Sequence, residues 1–135
     1  MQYIIMIAIV IMMALADIAT GLIKAYVTGK PNSKKMRVGG LHKASEVVVM
    51  ATACGLEIGI EMLGAYYEAV QLADIVGAFA AISVFGYIVL MEIISVIENY
   101  AEINPQAAWA KRILRKMKSK EENEDELHDH GTGTD

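Results

Sequence analysis

The chain has 135 residues, room for one domain, and its 55% apolar content and mean hydropathy of +0.39 are high for a water-soluble protein. The formal net charge of −4 averages two basic patches, an acidic tail, and the acids between Glu46 and Glu102, among which no base occurs. The basic patches adjoin apolar segments, where anionic lipid is the nearer partner, so nucleic acid is not expected; the single cysteine, Cys54, excludes an intrachain disulfide and a multi-Cys metal site.

All 12 Lys and Arg residues fall in two windows, 24–43 and 111–120, and the base-free stretches hold nearly all of the apolar sequence. Basic loops resist translocation, so membrane proteins gather them on the cytoplasmic side. The fold class expected is all-α, an integral membrane protein with three transmembrane helices.

In chain order, the first span covers about 3–24 and opens on an unbroken apolar run over 3–16. Ala14-Leu15-Ala16 resembles a signal-peptidase site, and cleavage there would leave two spans starting at Asp17. The basic n-region that such peptides carry is missing, which favours three spans. Residues 28–43, rich in Gly, Pro, Asn, Ser and Lys, read as a basic loop. The second span covers about 47–65, interrupted by Glu57 and Glu61. The short segment 66–74 lacks Lys and Arg and carries Tyr66 and Tyr67, as suits a tight turn at the membrane–water boundary. The third span covers about 75–96. Placing both basic windows inside gives an N-out, C-in topology.

After the third span, Asn104-Pro105 is a helix-start signal. From there Trp109, Ile113, Leu114 and Met117 gather towards one side, with Lys111, Arg112, Arg115, Lys116 and Lys118 around them. This predicts a basic amphipathic helix over 104–120 lying on the inner leaflet; the alternative is a solvated helix or a charged tail. Residues 121–135 have almost no apolar content and read as a disordered acidic tail, in which His128 and His130 are a weak metal signal.

Polar residues inside the apolar segments carry the chemistry. On a helix turning about 100° per residue, Glu46, Glu57 and Glu68 drift by only about 20° from one to the next, and Glu61 joins the same stripe. Opposite them Ala51, Gly55 and Gly59 recur every fourth residue, a surface that lets another helix approach closely. A central acid costs about 2.5–3.5 kcal/mol on the insertion scale, against about 0.3–0.6 returned by each Leu, Ile or Val. Glu57 and Glu61, and at the ends of the stripe Glu46 and Glu68, are therefore pore-lining candidates around water in an oligomer.

On the first span Asp17, Thr20, Gly21 and Lys24 share a face, and Asp17 is expected to pair with Lys24 through Thr20 or water. The third span shows a small-residue seam of Ala73, Gly77 and Ala81, and near its inner end Glu92, Ser95 and Asn99 share a face. For Asp17, Glu92 and Glu98 the alternative role is helix-to-helix adhesion or simple exposure at the interface. No nucleophile–base pair, metal motif or phosphate-binding glycine loop is present, so neither catalysis nor a cofactor is expected.

The ordered set Asp17, Thr20, Gly21, Lys24 and Ala25, then Ser33, Lys34, Met36, Gly40, Leu41 and Lys43, resembles the signature of the toxin-secretion/phage-lysis holin family. There a first span ends in an Asp-x-x-Thr-Gly-like motif followed by a basic Ser-Lys-x-Met loop. Glu92, Ser95, Glu98 and Asn99, with Pro105 shortly after, are similar to the inner end of the family's third span. The resemblance covers about 11–43 and 87–105; the glutamates of the second span are not part of it. It implies a small phage or prophage protein that homo-oligomerises in the bacterial cytoplasmic membrane and permeabilises it at a set time, releasing an endolysin or a large toxin. An antiholin-type regulator that joins and blocks such oligomers, or a small ion-conducting channel subunit, is the alternative.

Overall fold

The computed structural model describes residues 2–29 and 31–117. Three long helices dominate: α1 (Gln2–Val27), α2 (Ser33–Tyr66) and α3 (Val70–Ile103). A shorter helix, α4, follows over 108–117. Each of the first three is long and apolar enough to cross a membrane. At about 1.5 Å per residue, the 34 residues of α2 and of α3 reach about 51 Å, well beyond a hydrocarbon core of about 30 Å. α1 runs through Ala14–Ala16 without a break.

The segment expected to be a basic loop over 28–43 is a loop only as far as Asn32. Asn32 adopts extended backbone and its side chain accepts hydrogen bonds from the Lys34 and Lys35 amides at 3.0 and 3.1 Å, so α2 begins at Ser33. The loop reverses at Gly29, whose φ of 65° lies in the left-handed region. The polar composition of 33–43 marked contact with water and not the end of a helix.

The second turn is as short as expected. α2 closes where the Tyr67 amide donates to the Leu63 carbonyl and the Ala69 amide to the Gly64 carbonyl, with Glu68 at φ 56° in the position that Gly usually takes. Asn104 does not start the last helix. It caps the end of α3, and its side chain accepts from the Gln106 amide at 3.3 Å, so that a turn precedes α4. The expected acidic tail 121–135, with His128 and His130, lies outside the described residues.

α2 and α3 pack closely along their length, with α1 against both. Near the short turn, a methyl group on Gly64 would collide with the Cβ of Ala73, so backbone meets backbone there. Further along, Gly77 faces Glu57 of α2, leaving just enough room for its side chain. Val10, Met50, Ala53, Cys54 and Ile88 form the buried apolar centre, flanked by Met6, Ile7, Val84 and Phe85. Ile4, Leu15, Leu72, Ile75, Phe79 and Ile82 point outwards and are more than half exposed, whereas Asp17, Glu57 and Glu92 are buried. A bundle with apolar residues outside and acids inside suits a lipid surround.

Candidate functional site: a polar junction at the basic end of the bundle

One end of the bundle gathers the C-terminal turns of α1, the first half of α2 and the last turns of α3. Asp17 and Thr20 on α1 lie three residues apart, and Glu92, Ser95 and Asn99 on α3 three and four apart, so each set occupies one helix face. The Asp17 Oδ1 accepts from the Ser95 hydroxyl at 2.6 Å and from the Asn99 amide at 2.9 Å. Asn99 also donates to the Thr20 hydroxyl at 3.3 Å, and that hydroxyl donates to the Asp17 carbonyl at 3.0 Å. Gly21 keeps this face flat, with Asn99 as its neighbour across the gap.

α2 contributes the cation. The helical extension over 33–43 carries Lys43 into the bundle, where its ammonium lies 3.1 Å from Asp17 Oδ2, 2.9 Å from Glu92 Oε2 and 3.6 Å from Glu46 Oε2. Glu92 is fully buried. Its Oε2 is held by the Lys43 ammonium, and no other donor reaches either of its oxygens among the described residues. The expected pairing of Asp17 with Lys24 is therefore corrected: Lys24 reaches outwards along α3 to Asn99 Oδ1 at 3.2 Å and Glu102 Oε1 at 2.7 Å. Lys43 falls in the segment expected to be a loop, and the structure places it within α2. Its spacing of three from Glu46 was the signal that could have placed it.

The remaining candidates divide. Ser33, Lys34 and Met36 are exposed on the first turns of α2, outside the junction, with Gly40 half-buried beyond them; Glu98 is half-buried on α3. The acid stripe of α2 turns towards its own subunit. Glu57 is 4% exposed and packs against Gly77, Glu61 accepts a hydrogen bond from the Tyr3 hydroxyl at 3.2 Å, and Glu46 lies beside Lys43. Glu68 lies beyond the end of the helix, exposed in the turn. Of the small-residue seams, Ala73, Gly77 and Ala81 of α3 are buried against neighbours, as a packing surface should be. Ala51 and Gly55 are exposed, Gly59 is half-buried, and a methyl on either glycine would meet nothing within 4 Å. Within a subunit, then, Glu57 of the acid face turns inward, where Gly77 of α3 leaves space for it, and the small-residue face of α2 stays largely uncovered.

α4 folds back on α3. Ala107 and Ala110 are buried beside Ala101, Ile97 and Leu114, and the Trp109 ring lies 5.6 Å from that of Tyr100. Lys111, Arg112 and Arg115 are exposed along it, as is Lys116.

The family whose sequence model matches this chain is described as the bacteriophage holin family, over residues 2–119. No curated protein and no solved structure matches the chain.

Proposed function

The chain belongs to the bacteriophage holin family, and from that premise we propose that it assembles with copies of itself and opens the bacterial inner membrane at a set time, releasing an endolysin or a large toxin. The family forms membrane pores and is not enzymatic, and the chain is a multi-pass inner-membrane protein. The observation that carries the proposal is the division of α2 into two faces. Glu57 is buried against α3 and Glu61 is half-buried against α1, while Ala51 and Gly55, with half-buried Gly59 beside them, face a second subunit.

In this reading the subunit described above is the sealed form. Subunits dock through the open face of α2. Glu57 and Glu61 then line a watered lumen only after α2 parts from α3, because acids at that depth need water once they leave their packing. The basic end of the bundle faces the cytoplasm, giving an N-out, C-in topology, and exposed bases of α4 meet anionic lipid. An antiholin would interrupt the same docking face.

The test is induction of the protein alone in bacteria, following membrane potential and release of a cytoplasmic enzyme. Collapse of the potential together with enzyme release at a reproducible time is expected. Harmless expression that delays lysis by another holin would instead make the protein a regulator, and ion leakage without enzyme release would make it a small channel.

A further inference from the structure

The basic motif at the start of α2 is not used by the junction until Lys43. Its earlier bases, Lys34, Lys35 and Arg37, differ from those deeper in the bundle. Lys24 and Lys43 both hold acids. Among the described residues, no acid lies within ion-pair distance of Lys34, Lys35 or Arg37.

On one flank of these turns Lys34, Arg37, Val38, Gly40 and Leu41 line an open groove of about 550 Å³. Arg37, Val38 and Leu41 follow Lys34 at helical spacing, so the four share a face. Gly40 leaves the floor bare, since a methyl group there would meet nothing within 4 Å. Val38 is 49% exposed and Leu41 71%. The groove is therefore basic at the end away from the bundle and apolar at the end nearer to it.

Bilayer dimensions place it. With the exposed turn at Tyr66 on the outer surface, a bilayer of about 40–45 Å including headgroups takes about 27–30 residues of α2 to cross. The other headgroup surface then falls at about residues 36–39, level with Arg37 and Val38. Leu41 lies on the hydrocarbon side of that level and Lys34 on the water side. A free phosphate or an acidic peptide would answer the bases alone and leave Val38 and Leu41 in water. A phospholipid answers both, because its phosphate and its acyl carbons follow one another in the same order along the membrane normal. An anionic headgroup suits the site better than a zwitterionic one, whose own ammonium competes with the bases for the phosphate.

We propose that this flank of α2 is a binding site for one anionic phospholipid of the inner leaflet. Lys34 and Arg37 hold its phosphate, its glycerol lies over Gly40, and the start of an acyl chain covers Val38 and Leu41. The site rests on the three helices spanning the membrane with their basic end inward, and on neither the lumen nor the release of a cargo.

The experiment is native mass spectrometry of the full chain, released from detergent micelles after incubation with phosphatidylglycerol and phosphatidylcholine in equal amounts. One phosphatidylglycerol per subunit is expected to survive collision energies that strip phosphatidylcholine. Lys34→Gln and Arg37→Gln should each lower that retention about fivefold, the worth of one base near an anionic surface. Gly40→Leu, which fills the groove and leaves every charge in place, should lower it as well. Lys35→Gln removes a base of the same turns from outside the groove and should leave retention nearly unchanged. Equal retention of the two lipids, an unchanged Gly40→Leu variant, or a loss from Lys35→Gln as large as from Lys34→Gln overturns the proposal. So does displacement of the lipid by inorganic phosphate, since the ligand would then be a free anion. Retention only after truncation at Lys120 would make the acidic segment 121–129 the occupant, which also overturns it. Circular dichroism checks folding. Where a variant fails to fold, a photoreactive phosphatidylglycerol on the unaltered protein decides: adducts within 34–41 support the site, and adducts only elsewhere overturn it. Neither readout involves lysis, so the lipid site and the holin reading stand or fall separately.

Discussion

Lys43 and Lys24 sit at the same end of the bundle, and both hold acids, but burial sets their worth apart. Lys24 and Glu102 have side chains 30% and 56% exposed, and such a pair contributes no more than about 1 kcal/mol. The side chain of Lys43 is 14% exposed, and its partners Asp17 and Glu92 are buried deeper still. Removing one member of a buried pair strands the other, at a cost of about 3–5 kcal/mol. Lys43→Met is therefore expected to lower the stability of the detergent-solubilised protein by about that amount, and Lys24→Met by under about 1 kcal/mol, both read from denaturant unfolding. Adding Glu92→Gln to Lys43→Met should restore part of the loss, because the stranded charge is gone. Equal losses from the two lysine variants would show that the junction is more open to water than its burial implies.

At the scale of elements, glycine does two different jobs on α2. Gly64 lies where α2 and α3 nearly touch, against Ala73. A side chain there must push the helices apart, and overpacking of this kind costs about 1–3 kcal/mol or more. Gly55 faces open space and has no such constraint. Gly64→Val is accordingly expected to lower the melting temperature in detergent, whereas Gly55→Val leaves it nearly unchanged and reduces chemical cross-linking between subunits in membranes. Unchanged cross-linking in Gly55→Val would remove the open face of α2 from the assembly.

At the scale of the molecule, hiding acids inside an apolar exterior gives a subunit that tolerates lipid, and parting α2 from α3 brings the same acids into water. Glu57→Gln combined with Glu61→Gln keeps size and hydrogen bonding while removing both charges. The double variant is expected to insert and assemble but to shift the onset of lysis or abolish it, as measured by culture density and enzyme release after induction. Onset at the unaltered time would exclude a lumen lined by these two glutamates.

The number and order of the long helices were legible in the chain, since an apolar run of about 20 residues has few alternatives to a spanning helix. The helix ends were less so. Pro31, Asn32 and the lysines of 33–43 read as loop because their composition suits water, and a helix that emerges from the bilayer into water has that same composition. The placement of Lys43 failed for that reason, and with it the pairing of Asp17. The motif residues Asp17, Thr20, Lys24, Lys43, Glu92, Ser95 and Asn99 were visible as a set, but not as one site.

Periodicity alone determined that α2 has an acid face and a small-residue face, because residue spacing fixes angle around a helix axis. Which face turns inward was decided only by the tertiary structure. That choice depends on the partner: Gly77 of α3 leaves a space that Glu57 fills, and Lys43, held in line by three extra turns of helix, supplies a charge that Asp17 and Glu92 require. Complementarity between two helices is a property of their surfaces together, and no single segment of sequence contains it.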